Sequence, residues 1–147
     1  MKRGEYVPSR VSFPDAPGDP DLPMVDVSLS SPVGEDRAPS PAQAVLDTGS
    51  GPTVLSPHLR ESLDLVPTGE REVVTFPRDL GEKARTYPVC PVRVGINGAF
   101  DEVVEAVVMP LYPDMLLGRD ILNKLRITLD AAGSLVTLEL GAKAGAP

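Results

Sequence analysis

The chain has no tryptophan, one cysteine and one histidine, and aromatic residues fill only 4% of its 147 positions. Each scarcity excludes something. A lone thiol, Cys90, cannot close a disulfide within the chain, so a reducing compartment suits it best. Between two prolines, it reads as a packed thiol. His58 has no ligand partners at metal-binding spacing, which favours a surface role and gives no reason to expect a metal or cofactor. Basic residues are outnumbered 14 to 21, for a formal charge of −7 and a pI near 4.6. A phosphate-binding surface wants a basic patch, so no nucleic-acid partner is expected.

Long apolar runs are missing too, and nothing is long enough to cross a bilayer. The opening "MKRGEYVPSRVSFPDAPG" has basic residues but lacks the apolar core of a secretory signal. A soluble, cytoplasmic protein with no membrane partner is the expectation.

Proline and glycine are plentiful, at 17 and 13 residues. With 41% hydrophobic residues, the chain can bury one core, and this balance suits many short strands joined by turns. Eight prolines fall within the first 41 residues. Proline fixes φ and lacks a ladder donor, so residues 1–23 read as an extended arm, either a disordered leader or a functional segment. A single domain over 24–140 and a flexible tail over 141–147 complete the expected organisation.

Within that domain, "MVDVSLS" alternates, with Val25, Val27 and Leu29 on one face. "AQAVLD" (42–47) reads as a strand with "PTVLS" (52–56) as its return. Ser56-Pro57 supplies an N-cap and an N1 proline for a short helix carrying Leu59 and Leu63 on one side. "EREVVTF" (70–76) and "KARTYPVCPVRVGI" (83–96) form a hairpin around "PRDLG". Pro88 and Pro91 confine its second arm to an edge or to bulged pairing. "FDEVVEAVVM" (100–109) suits a strand, although its pattern tolerates a helix. "DMLLG" (114–118) precedes "RDILNKLR", a helix expected to bury Ile121, Leu122 and Leu125. "RITLD" and "SLVTLEL" close the domain as a hairpin. The acidic Asp101, Glu102 and Glu105 lack further oxygen ligands at loop spacing, which favours a solvated edge over a cation site.

Asp47 stands apart. It ends an apolar run and is followed by Thr48, Gly49 and Ser50. The glycine permits a sharp reversal, and the two hydroxyls can hydrogen-bond a carboxylate or nearby backbone. Taken alone, the segment fits either an Asx-type turn or a carboxylate held for chemistry.

The second segment, "MLLGRDIL", narrows the choice. The pair "LDTGS" and "LLGRDIL", in this order and spacing, resembles the retropepsin-like aspartic proteases, the single-domain relatives of pepsin. The resemblance covers roughly residues 24 to 140 and implies a mainly β acid-protease barrel with a flap hairpin and one short C-terminal helix. By that resemblance Asp47 is catalytic, while Thr48, Gly49, Ser50, Leu116, Leu117 and Gly118 support the active-site loop. Ser50 would donate to the outer carboxylate oxygen. Phe76, Pro77, Arg78, Asp79, Leu80 and Gly81 would form the flap over substrate, with Phe76 and Leu80 either touching substrate or anchoring the loop.

The family's hydrolysis of a peptide bond uses two carboxylates that share a proton. No second Asp-Thr-Gly or Asp-Ser-Gly occurs here. The simplest completion is a homodimer with Asp47 of each copy at its axis, acting as an endopeptidase on extended peptide or protein substrates. The alternative is a non-catalytic peptide-binding or dimerisation module that keeps the fold. Two departures from viral relatives stand out. Gly51 replaces an aspartate that pairs with the helix arginine, leaving Arg119 without an obvious partner, and the chain runs past the helix into a long hairpin.

Overall fold

The computed structural model describes residues 3–6, by backbone alone, and 22–34, 38–73, 85–111, 114–133 and 135–141. They form strands β1 (Arg3–Tyr6), β2 (Met24–Ser30), β3 (Ser40–Leu46) and β4 (Val54–Leu55), then helix α1 (Pro57–Ser62). Strands β5 (Gly69–Val73), β6 (Arg85–Ile96), β7 (Phe100–Val108) and β8 (Met115–Leu117) follow. Helix α2 (Arg119–Leu122) and strands β9 (Leu125–Asp130) and β10 (Leu135–Leu140) end the set.

Seven strands lie in the order β2-β3-β8-β4-β7-β6-β5, and β2 also pairs with β6. That extra pairing closes β2, β3, β8, β4, β7 and β6 into a six-stranded barrel, with β5 on the outside edge of β6. Alternation along the strands fills the interior: Val25, Val27 and Leu29 of β2, Val92, Val94 and Ile96 of β6, and Met115 and Leu117 of β8 share one core. A separate antiparallel sheet, β1-β10-β9, adds Val136 and Leu138 to that core, and α2 adds Ile121 and Leu122. Closure removes the exposed edges that an open sheet of short strands would leave.

Several expectations need correction. Residues 52–56 do not return against β3. Instead β8 lies between β3 and β4, parallel to β3 with Val45 opposite Leu116, and antiparallel to β4 with Val54 opposite Leu116. Two apolar strand ends therefore gain a shared central strand that sequence alternation alone does not reveal.

β6 is also not an edge strand. It pairs with β5 through Val89, with β7 from Val89 onward, and with β2 only over Arg93–Gly95. Pro88 therefore faces β5 alone and Pro91 faces β7 alone, opposite Glu70 and Glu105 respectively. Each proline sits where one side of the strand needs no donor.

The second helix is shorter than its pattern suggests. It ends at Leu122, capped by Asn123, and Leu125 opens β9 opposite Leu140. Leu125 still packs against the core, but as a strand residue. The 100–109 segment settles as strand through its ladder to β6. Ser56 caps α1 as its sequence implies, accepting from the Leu59 N–H at 3.2 Å.

Candidate active site

Asp47 follows the last residue of β3, where the chain leaves the barrel. Its backbone N–H donates to Leu117 O at 3.1 Å, extending the β3–β8 ladder by one bond. The loop then folds back on its own carboxylate. Gly49 N–H donates to Asp47 Oδ1 at 2.9 Å, and Ser50 N–H donates to the Asp47 carbonyl at 3.2 Å. A Cβ on Gly49 would stand 3.1 Å from Oδ1, tighter than ordinary contact, so glycine suits this reversal. Asp47 is half-buried, while Thr48 and Gly49 are exposed. One carboxylate oxygen is thus fixed, and Oδ2 accepts no hydrogen bond from the described residues.

The start of α2 holds the loop from below. Arg119 N–H donates to Ser50 O at 2.8 Å and Asp120 N–H to Gly51 O at 3.1 Å. These are free N–H groups of a helix's first turn, satisfied by loop carbonyls. The Arg119 guanidinium adds a bond to Thr48 O at 2.9 Å. The arginine that sequence leaves without a carboxylate partner therefore binds a carbonyl of the loop itself. Gly118 allows this approach, since a Cβ there would collide with the backbone of Pro52.

Beneath the loop is a fully buried polar group that the sequence did not single out. Thr53 Oγ1 donates to Asp120 Oδ1 at 2.7 Å and accepts from Gly118 N–H at 3.2 Å, and Thr53 N–H donates to Asp120 Oδ2 at 3.1 Å. Thr53 is 0% exposed, so its own polar atoms rely on these bonds in place of water, although Asp120 itself is exposed. Asp120 lies at the start of α2, where its Oδ1 accepts from Ile121 N–H at 2.9 Å, and it also ties the segment after the loop to that helix. The available signal was a threonine between Pro52 and an apolar pair, a polar residue at a core position.

Ser50 behaves differently from expectation. Its hydroxyl donates to Pro52 O at 2.7 Å, within the loop, and not to a carboxylate. Leu116 and Leu117 also part company, as neighbours on a strand must. Leu117 enters the barrel core, whereas Leu116 joins an outer apolar group with Val54, Val89, Val107, Tyr87, Met109 and Leu111. That group lies on the face of β8 and β4 next to the Asp47 loop. The candidate flap residues Phe76, Pro77, Arg78, Asp79, Leu80 and Gly81 lie outside the described residues, although β5 and β6 on either side pair as an antiparallel hairpin.

The remaining sequence candidates fall elsewhere. His58 is exposed on α1. Cys90 is buried in the core, and burial raises its thiol pKa, partly offset by a hydrogen bond and positive charge from Arg60. Asp101 is bound by Arg93 through both oxygens, at 2.8 and 2.9 Å, and this hydrogen bonding holds its carboxyl below the ordinary range. Glu102 pairs with Lys124 at 3.2 Å. Among the described residues no group of three or more potential ligands could hold a metal ion, and no helix is long and apolar enough to cross a membrane.

A cavity of about 670 Å³ opens among Ser28, Ser31, Arg93, Asn97 and Phe100. It lies at the far end of the β2–β3 pair from Asp47, since Leu29 faces Ser40 while Met24 faces Val45. It is no part of this site.

A closed six-stranded barrel with an Asp-Thr-Gly loop seated on a Leu-Leu-Gly strand and a short helix defines a retropepsin-like fold. The family described as "Aspartyl protease" matches residues 34–121, more than half of the chain, and the chain belongs to it. Two solved structures share the fold. The first is EIAV protease complexed with the inhibitor HBY-793, with a TM-score of 0.50 and 20% identity over 77% of this chain and 92% of that one. The second is a retropepsin-like aspartic protease from Rickettsia conorii, with a TM-score of 0.53 and 16% identity over 96% of this chain and 95% of that one. No curated protein sequence matches the chain.

Proposed function

We propose that this protein is an aspartic endopeptidase that works as a homodimer, with Asp47 of each subunit forming one catalytic pair. The observation that carries the reading is the Asp47 loop. Four bonds to backbone groups, within the loop and to Leu117 and Arg119, hold the loop, and a fifth from Gly49 N–H fixes one carboxylate oxygen while the other is left open. Such rigid placement serves chemistry better than it serves a turn.

Two carboxylates brought face to face hold one proton between them, because both cannot be charged at close range without large repulsion. The ionised member takes a proton from a water molecule, whose oxygen attacks the scissile carbonyl carbon. The protonated member gives its proton to the carbonyl oxygen, forming a neutral tetrahedral diol. Transfer of a proton to the amide nitrogen and collapse of the diol then break the C–N bond and return the shared proton to the pair. No metal or cofactor is needed for this sequence. Activity should favour pH below neutral and fall when the pair takes up a second proton.

The outer apolar group around Leu116 and Val54 borders the same loop, which supports substrates that place apolar side chains beside the scissile bond. The hairpin of β5 and β6 would carry the cover over an extended peptide, with Phe76 to Gly81 at its turn.

A diverse peptide pool, incubated from acidic to neutral pH with wild type and Asp47→Asn, tests the reading. Cleavage by wild type and none by a folded, equally associated Asp47→Asn supports it. Equal cleavage by both removes it. A folded wild type that binds peptides without cutting them would indicate a binding module.

A further inference from the structure

We propose that Arg119 gives the cleft a preference for acidic substrates, its guanidinium binding an Asp or Glu side chain a few positions away from the scissile bond. The inference rests on the endopeptidase reading above and adds a substrate class to it.

The guanidinium is only partly used by its own chain. Nη1 donates to Thr48 O at 2.9 Å, and among the described residues Arg119 makes no ion pair. A planar fork of five N–H donors can do more than this. The carboxylates closest in the chain and in the loop are committed elsewhere. Asp120 accepts from Thr53 through both oxygens and from Ile121 N–H at 2.9 Å, and Asp47 Oδ1 accepts from Gly49 N–H.

Gly51 keeps the rest of the fork open. A Cβ built on Gly51 would stand 3.6 Å from Arg119 Nη2, an ordinary contact distance, so this amino group lies where a side chain at position 51 would begin. A carboxylate on that side chain would neutralise the arginine within the chain. Glycine leaves the charge to a carboxylate from another molecule.

The placement suits a bound peptide. The Arg119 N–H reaches Ser50 O from beneath the loop, while its exposed side chain reaches Thr48 O, next to Asp47. A peptide drawn across Asp47 runs along this loop. Residues flanking the scissile bond meet the outer apolar group around Leu116 and Val54, which leaves the arginine to positions further out. A two-fold axis repeats the arrangement, so an acidic residue can be held on either side of the scissile bond.

The chain's formal charge of −7 repels acidic peptides as a whole, so a preference for them has to come from a local cation. Hydrogen bonds from a guanidinium to a carboxylate are shorter and stronger than those to a neutral amide, and two can form at once.

Two peptide libraries test this with the full chain. Both are capped at each end and contain no other acidic residue. One carries Glu at a single fixed position and the other Gln, and that position is moved along the peptide. A pH of about 6 keeps the glutamate ionised. At a position beyond the flanking residues, wild type should cleave the Glu library about fivefold better in kcat/KM, and high salt should shrink the advantage. Gly51→Asp places a carboxylate within reach of Arg119 and should erase the difference. Gly51→Asn adds similar bulk without charge and should keep it. Arg119→Met should erase it as well, because damage to the loop slows both libraries together and leaves their ratio to report the charge.

Cleavage that depends on Asp47 but shows no preference for Glu overturns the inference and leaves the endopeptidase reading standing. So does a preference that survives both Gly51→Asp and Arg119→Met. If neither library is cut, the endopeptidase reading falls, and retention of the same peptides on immobilised Asp47→Asn protein decides the inference. Enrichment of Glu over Gln peptides that disappears on adding Arg119→Met upholds the carboxylate site. Equal retention overturns it.

Discussion

Arg119 Nη1 donates to the carbonyl oxygen of Thr48 at 2.9 Å, joining the first residue of α2 to the middle of a loop 71 positions earlier. The bond fastens the exposed side of the Asp47 loop, which the β3–β8 ladder does not reach. It replaces the carboxylate partner that viral relatives would lead one to expect, and it explains how Gly51 can stand there without loosening the loop.

Removing that bond should affect catalysis more than stability. Arg119 is exposed, so Arg119→Met should change folding stability by no more than about 1 kcal/mol. Misplacing Thr48 and with it the carboxylate should lower kcat about tenfold or more. Arg119→Lys should recover only part of this, because an ammonium lacks the planar reach of a guanidinium. Urea unfolding and steady-state kinetics separate the two effects.

Thr53 behaves in the opposite sense. Thr53→Val keeps the shape but strips a donor from Asp120 and an acceptor from Gly118 N–H. Leaving the buried Gly118 N–H unpaired should destabilise the fold by about 2 kcal/mol. Thr53→Ser should lose much less, since its hydroxyl can make both bonds. The urea midpoints of the three proteins give the answer.

Leu116 tests the outer apolar group as a substrate wall. It is half-buried and directed away from the barrel core, so Leu116→Ala should leave the fold standing. Preference among peptides should move toward larger apolar side chains, by about 1–3 kcal/mol in relative kcat/KM. A parallel loss on all substrates would point to a purely structural role.

Cys90 yields a pH prediction. Burial raises its pKa in the folded protein, so the folded state keeps the thiol proton longer than the unfolded chain does. That contribution is fully present below the unfolded thiol pKa and is lost as pH rises toward the folded value. Stability should therefore decline on the alkaline side of the ordinary thiol range, and Cys90→Ala should flatten this decline. A thiol reagent at neutral pH should label Cys90 only after unfolding.

Local pattern carried most of the fold. Alternation announced β2, the closing hairpin was read at β9 and β10, and Ser56-Pro57 announced α1. The Asp-Thr-Gly and Leu-Leu-Gly segments located the loop and its support. What stayed hidden was non-local. Nothing in residues 52–56 says that β8 will enter between them and β3, and nothing near Pro91 says that its other side faces a gap between β5 and β2. The Thr53–Asp120 bonds were equally invisible, because their partners lie 67 positions apart. Helix pattern overreached at Leu125, where pairing with Leu140 outweighed a marginal helix.

The central claim is that one catalytic unit needs Asp47 from two chains. Mixing wild type with Asp47→Asn at constant total protein, with time for subunits to exchange, tests it most directly. If the pair spans the dimer, mixed dimers are inactive and activity falls as the square of the wild-type fraction, to about one quarter in an equal mixture. A linear fall, to about one half, would mean that each chain cleaves alone and would contradict the account.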